Sequence, residues 1–289
     1  MSQSFTVALS GSTGFIGSYL ASYLKNHNIS VIKLTRDDFR LTPEKLGEKI
    51  SGLDGIINLA GAPIIKRWTE EYKKILYRSR IDTTRKLVNA CSLAKQQPKL
   101  FLSTSAIGYY DSVLLHTEEH YGRSEDFLGT LTGDWEKEAL EARALGMRTV
   151  IFRFGVVLGK NGGALKSMLL PFKLGLGGII GSGEQAVSWI HIEDIARACL
   201  SAINDSSFGG AYNLTAPTPS TNRELSRTLG KLLHRPVFFP VSECAVKLLY
   251  GEGAQVLIKG QQVLPKRLQD AGFKFKFSVL EAALADCLK

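Results

Sequence analysis

The chain has 289 residues, 44% hydrophobic and 22% charged, enough for the core of one large globular domain or two. Its net charge of +9 is scattered over sites such as Lys66-Arg67, Arg80 and Lys266-Arg267, without the basic and aromatic interleaving that would make nucleic acid an expected partner. No apolar run nears the ~20 residues of a membrane span, Met1-Ser2-Gln3-Ser4 lacks a basic leader, and the four cysteines show no metal spacing, so a cytoplasmic, metal-free protein with reduced, mostly buried thiols is expected.

An apolar run from Phe5 to Leu9 predicts the first strand. It leads into Gly11-Ser12-Thr13-Gly14-Phe15-Ile16-Gly17, and Phe15 to Asn26 then shows helical apolar spacing through Ile16, Tyr19, Leu20, Tyr23 and Leu24. Strand, glycine turn and helix form the dinucleotide-binding arrangement. Glycine has no Cβ, so the turn can be tight and the backbone can approach an anion closely. The N–H groups of the first helical turn face that anion with the helix dipole behind them. Gly11, Gly14 and Gly17, with the amides of Thr13, Phe15 and Ile16, are therefore expected to hold a pyrophosphate.

A second strand, Ser30 to Thr35, ends at Arg36. NAD-binding members of this fold carry an acidic residue there, on the adenosine 2′-hydroxyl. A guanidinium can instead fork onto a 2′-phosphate, so NADP(H) is the expected cofactor, although the acidic pair Asp37-Asp38 follows directly. The third strand, Gly55 to Gly61, ends in small residues. Leu59, Ala60 and Gly61 are expected to line the ribose side and to let the loop pass close to the pyrophosphate. Trp68 to Ala94 predicts one long helical stretch with apolar positions, read as core, at Tyr72, Ile75, Leu76, Leu87, Val88 and Cys91. A fourth strand, Lys99 to Thr104, runs into Ser105-Ala106-Ile107-Gly108-Tyr109-Tyr110.

The glycine turn, Asp54 before Asn58-Leu59-Ala60-Gly61, and Ser103-Thr104-Ser105-Ala106 together resemble an extended short-chain dehydrogenase/reductase. The nearer likeness is to its atypical "epimerase family" branch, often labelled nucleotide-sugar epimerases. It is carried by Trp135-Glu136, Arg153 to Gly159, Trp189 to Asp194 and Tyr212 to Pro217. The tail from Gly251 to Gly272, with Gln261 to Leu268, resembles that branch's extra C-terminal domain of unknown function. The resemblance implies an α/β fold: a Rossmann-type doubly wound parallel sheet with a smaller, discontinuous α+β C-terminal substrate domain. It implies Ser103 beside the cofactor, Ser105 as the catalytic serine on a substrate oxygen, and a small-molecule substrate with nucleotide sugars among the candidates. A monomer or homodimer is expected.

The chain departs from that family at one place. Ordinary members carry a Tyr and a Lys four residues apart on the helix after the fourth strand, and those places fall near Leu128 and Thr132. Tyr109, Tyr110 and Tyr121 lie nearby, and none has Lys at the fourth position after it. Tyr109 is the expected substitute acid/base, with Tyr110, Tyr121 and His191 as alternates. Two functions stay open: an NADP-dependent oxidoreductase or nucleotide-sugar epimerase, and a non-catalytic NADPH-binding sensor that has lost the pair.

Further along, a helix from Leu128 to Leu145 stops at Gly146. Arg148 to Val157 predicts a buried central strand. The glycine-rich stretch Lys160 to Gly183, around a helical piece from Leu165 to Phe172, suits a mobile loop over a pocket or an ordinary connection. Asp194 is expected to cap a helix from Ile195 to Ile203. Thr221-x-x-Glu224 and Ser278-x-x-Glu281 predict two capping boxes. Phe273, Phe275 and Phe277, alternating with Lys274 and Lys276, read as a two-faced strand. Residues 1–159 and 184–211 are expected to bind the nucleotide, and residues 160–183 and 212–289 to form the substrate domain over the carboxyl ends of the sheet.

Overall fold

The computed structural model describes residues 5–160 and 162–289; the Met1–Ser4 start, read above as lacking a leader, lies outside them. In chain order the first half runs β1 (Thr6–Ser10), α1 (Phe15–Asn26), β2 (Ser30–Lys33), α2 (Pro43–Ile50), β3 (Gly55–Asn58), α3 (Glu70–Arg78), α4 (Ile81–Leu93), β4 (Leu100–Ala106), β5 (Leu115–His116) and α5 (Phe127–Ala144). It continues through β6 (Arg148–Phe154), β7 (Val156–Leu158), α6 (Gly163–Lys173), β8 (Ala186–Val187), β9 (Trp189–His191), α7 (Ile192–Asn204) and β10 (Gly210–Leu214). The remainder is β11 (Ser220–Thr221), α8 (Asn222–Leu233), α9 (Glu243–Tyr250), α10 (Gln255–Ile258), β12 (Gln262–Val263), α11 (Lys266–Asp270) and α12 (Leu280–Leu288).

Six strands form one parallel sheet in the order β10-β6-β4-β3-β1-β2. Successive strand side chains point to opposite faces, so the continuous apolar runs feed two cores. Val7, Leu9, Ile57, Leu102, Val150 and Phe152 meet α1 and α7 on one face. Ala8, Ile56, Phe101 and Ile151 meet α2, α4 and α5 on the other. This is the doubly wound α/β arrangement. No described helix is long and apolar enough to cross a membrane. Cys91, Cys199 and Cys287 are buried free thiols, while Cys244 is exposed.

A third cluster gathers Leu158, Leu165, Phe172, Trp189, Leu225, Leu229, Phe277 and Leu284, from α6, α8, α12 and the β7–β9 pair. Here the strand predicted from Arg148 to Val157 breaks. A β-carbon on Gly155 would come 2.3 Å from the Ser188 carbonyl, so the chain at this glycine leaves the main sheet and pairs with β9. The helix predicted from Trp68 to Ala94 is also two helices. At the break the Ser79 hydroxyl accepts the Ala62 N–H and Arg80 donates to the Ala62 carbonyl, tying the loop after β3 to the helix ends.

Three local expectations at the C-terminal end need correction. His191, not Asp194, caps α7: its Nδ1 accepts the Glu193 N–H. Asp194 lies inside the first turn, fully buried, and accepts the N–H groups of Lys276 and Phe277 at 2.7 and 3.0 Å. Residues 273–277 form no strand, because that carboxylate takes two of the N–H groups a ladder would need. The Ser278 box is absent as well: Val279 precedes α12, and Glu281 pairs with Lys231 on α8. The Thr221–Glu224 box is present.

Candidate functional site

The glycines of the first turn have separate duties. Gly11 has φ +65°, and a β-carbon there would come 2.6 Å from the Leu59 carbonyl. One on Gly17 would come 2.2 Å from the Gly11 carbonyl. Both therefore serve the turn and its packing on the third strand. Gly14 is the N-cap of α1 in extended backbone (φ −75°, ψ 171°), where a β-carbon would meet only the Gly11 oxygen at 3.2 Å. Its front is open space at the end of a twelve-residue helix, beside the amides of Thr13, Phe15 and Ile16. Ser12 Oγ is buried with no hydrogen-bond partner among the described residues. An open cradle and an orphaned hydroxyl suit an oxyanion ligand.

A buried chain of hydrogen bonds aligns the ends of β1 and β3, where Ser10 pairs in register with Asn58. Ser10 Oγ donates to Asn58 Oδ1 at 2.6 Å and accepts the Leu59 N–H at 3.1 Å. Asn58 Oδ1 also accepts the Ala60 N–H. Asn58 Nδ2 and the Trp135 indole both donate to Thr84 Oγ1. The backbone of Leu59, Ala60 and Gly61 is thereby held against the glycine turn. In the next strand Ser103 pairs in register with Asn58, and its buried hydroxyl donates to the Thr104 carbonyl.

Arg36 is exposed just past β2. Its two acidic neighbours are engaged elsewhere: Asp38 accepts from Thr35 N, Thr35 Oγ1 and Lys49 Nζ, and Asp37 pairs with Arg40. Among the described residues no acidic side chain pairs with the Arg36 guanidinium.

Ser105, buried at the end of β4, opens a second network. Its hydroxyl donates to Glu136 Oε1 at 2.7 Å. The same carboxylate takes Arg153 Nε and Nη2 as a fork, each at 2.7 Å, across from Ser105 in the β4–β6 register. Arg153 Nη1 donates to the Tyr110 hydroxyl, which donates to Asn213 Oδ1, both at 2.7 Å. Burial opposes the Arg153 charge, but the Glu136 fork more than offsets it and holds the guanidinium protonated. The ring of Tyr109 lies over that guanidinium, 3.8 Å from centroid to Cζ, with Tyr121 edge-on at 5.7 Å. Burial raises the Tyr109 hydroxyl above its ordinary value, and Arg153 pulls partly the other way. Tyr110 is fully buried and pushed up to about 12 by burial. Both bonds of its hydroxyl are spent inside the protein.

The remaining candidates lie elsewhere. The His191 ring lies against that of Phe277, centroids 3.9 Å apart and planes tilted by 43°, and Nε2 stands 3.6 Å from Asp286 on α12. Leu128 packs over Gly108, and Thr132 Oγ1 bonds back to the Leu128 carbonyl, so neither position supplies an acid or a cation. Glu136, Arg153, Asn58 and Thr84 were not picked out from sequence as site residues. The first three belong to motifs already quoted, and for Glu136 and Arg153 a buried acid–base pairing was the missing signal. A cavity of ≈ 660 Å³ beside the turn is lined by Thr13, Gly14, Phe15, Lys160 and Lys166. The Phe15 ring fills the space that side chains at Gly162 and Gly163 would need, so the glycine-rich stretch rests on α1.

The profile of the NAD dependent epimerase/dehydratase family matches residues 7–215, and that of a domain of unknown function matches residues 241–287. An epimerase family protein of Staphylococcus aureus (strain N315) is 38% identical over 294 residues, covering 97% of this chain and 98% of its own. A crystal structure of the human epimerase family protein SDR39U1 (isoform 2) with NADPH superposes with a TM-score of 0.90 at 35% identity, over 98% of both chains. A nucleoside-diphosphate sugar epimerase from Corynebacterium glutamicum matches with a TM-score of 0.80 at 27% identity, over 99% of this chain and 58% of that one.

Proposed function

The chain belongs to the NAD dependent epimerase/dehydratase family, an NAD(P)-binding family of Rossmann type, and from that we propose that it is an NADP(H)-dependent oxidoreductase or nucleotide-sugar epimerase working without the Tyr–Lys pair. The observation that carries the reading is Tyr109 stacked on Arg153, whose carboxylate partner Glu136 also holds Ser105. Gly11, Gly14 and Gly17, with the Thr13, Phe15 and Ile16 amides, hold the pyrophosphate. Leu59, Ala60, Gly61 and Ser103 line the ribose side. The unclaimed Arg36 guanidinium selects the 2′-phosphate, in keeping with the NADPH of the human relative. A nicotinamide bound there supplies hydride transfer.

Tyr109 takes the part of the missing acid. It is protonated at neutral pH as any phenol is; burial makes it a weaker acid than an ordinary tyrosine, and the Arg153 cation beneath its ring offsets this in part and faces the phenolate left after donation to a substrate oxygen. The Ser105 hydroxyl donates its hydrogen bond to Glu136, so its lone pairs are left to accept from a substrate hydroxyl. Residues 160–183 and 212–289 close over this crevice as the substrate domain. A panel of nucleotide sugars and small carbonyl compounds, followed by NADPH absorbance and product analysis, tests the reading. Tyr109→Phe should lower turnover about 10²–10⁴-fold at unchanged NADPH affinity. The competing reading, a sensor that binds NADPH without chemistry, is favoured by Leu128 and Thr132 at the places of the Tyr and Lys. Tight NADPH binding with no turnover across the panel would establish it instead.

A further inference from the structure

The buried network around Arg153 runs on beyond the Tyr109 ring, and its hydrogen bonds have a fixed direction. An arginine can only donate. Arg153 Nη1 therefore makes the Tyr110 hydroxyl its acceptor at 2.7 Å, and the single phenolic proton goes to Asn213 Oδ1, also at 2.7 Å. That settles the Asn213 amide: with Oδ1 on Tyr110, Nδ2 donates to the Leu264 carbonyl at 3.0 Å. The Asn213 N–H donates to Glu118 Oε1 at 2.8 Å, and the other oxygen of that carboxylate accepts the Arg267 N–H. Leu264 is gripped from both sides, since its own N–H goes to the His116 carbonyl. Asn213 and Tyr110 are fully buried, and the Tyr110 ring lies flat on His116, centroids 4.9 Å apart. Residue 213 thus accepts from Tyr110 and donates to Leu264 at once. An amide does both, whereas a carboxylate cannot donate and an aliphatic chain does neither. Leu264 and Arg267 lie in the segment matched by the domain of unknown function, residues 241–287. Hydrogen bonds therefore lead from that segment through Asn213 and Tyr110 to Arg153, whose guanidinium lies 3.8 Å from the Tyr109 ring. A buried polar network with every member satisfied holds its groups in one arrangement.

We propose that Asn213 is a positioning residue: braced by the Leu264 carbonyl, it holds Tyr110, and through Tyr110 the Arg153 guanidinium beneath Tyr109, which makes the C-terminal segment part of the site. The inference rests on the reading of Tyr109 above. The charged and titratable groups around the Tyr109 ring are Arg153, Arg123, Tyr121, Tyr110 and, behind Arg153, Glu136. Asn213 acts on Arg153 alone. The test follows the alkaline titration of Tyr109 by tyrosinate absorbance, as the difference between each protein and its Tyr109→Phe counterpart. In Asn213→Leu the cation is free to move off the ring, and the Tyr109 step should rise by about one pH unit. Tyr110→Phe removes the oxygen through which the bonds pass and should give the same rise. The double variant should show no more than either alone. NADPH affinity, read by nucleotide fluorescence, should stay at the wild-type value in all three. A folded Asn213→Leu protein whose Tyr109 titrates as in the wild type overturns the proposal, and so do shifts that add in the double variant. If Asn213→Leu does not fold, Tyr110→Phe decides alone, an unmoved Tyr109 step overturning the proposal there too. A coupled shift in a protein that turns over no substrate would uphold the positioning role and defeat the enzyme reading instead.

Discussion

Gly14 and Gly17 lie three residues apart and fail for opposite reasons when given a side chain. Gly14 has backbone angles any residue adopts, and a β-carbon there would press only on the Gly11 oxygen at 3.2 Å, which a shift of a few tenths of an ångström relieves, so its bareness serves a ligand more than the fold. Gly17 faces the Gly11 carbonyl at a distance no β-carbon tolerates. Gly14→Val should therefore abolish NADPH binding while the ligand-free protein melts near the wild-type temperature. Gly17→Ala should cost the ligand-free protein about 1–3 kcal/mol, the usual scale of overpacking. Thermal melts with and without NADPH separate the two. A Gly14→Val protein that binds normally would show that no phosphate lies on this turn.

At the scale of elements, α7 depends on an acid-sensitive cap. Nδ1 of His191 accepts the Glu193 N–H, and an imidazolium has no lone pair to offer. Burial lowers the His191 pKa, with Asp286 opposing it in part. The folded state thus binds this proton less readily than the unfolded chain does. The contribution is present in full above the free-histidine value of about 6.5 and is lost as pH falls from there through the lower folded value. His191→Asn, which keeps a capping oxygen and cannot titrate, should flatten the dependence of melting temperature on pH between about 7 and 5. An identical pH profile in the variant would place the acid sensitivity elsewhere.

For the whole molecule, a cofactor that binds only the folded protein must raise its melting temperature, by about 2.7 kcal/mol of stability at a hundred times Kd. With Arg36 unclaimed by Asp37 and Asp38, NADPH should stabilise the protein more than NADH at equal concentration. Arg36→Ala should erase most of that difference, corresponding to about ten- to a hundred-fold in affinity. Equal shifts from the two cofactors in the unmutated protein would remove the 2′-phosphate from Arg36.

The glycine spacing, the apolar runs and the Thr221-x-x-Glu224 box are signals carried within a few residues, so the sequence alone determined the parallel α/β sheet, the glycine turn and the family. Single-residue periodicity could not foresee where the chain changes partner. The helix read across residues 68–94 breaks where Ser79 and Arg80 meet the Ala62 loop, and the strand read through Val157 leaves the sheet at Gly155, after which the Val156 N–H is donated to the Ser188 carbonyl and the chain pairs with β9. Asp194 looked like a cap because capping is the usual use of an aspartate there, and the two amides that claim it lie 82 and 83 residues away. The same holds at the site. Ser105 and Tyr109 were legible as candidates, but Glu136 is 31 residues from Ser105, and Asn213 is 103 from Tyr110. Buried charge is tolerated only where a partner is brought to it, and which partner arrives is settled by the packing of distant strands and helices.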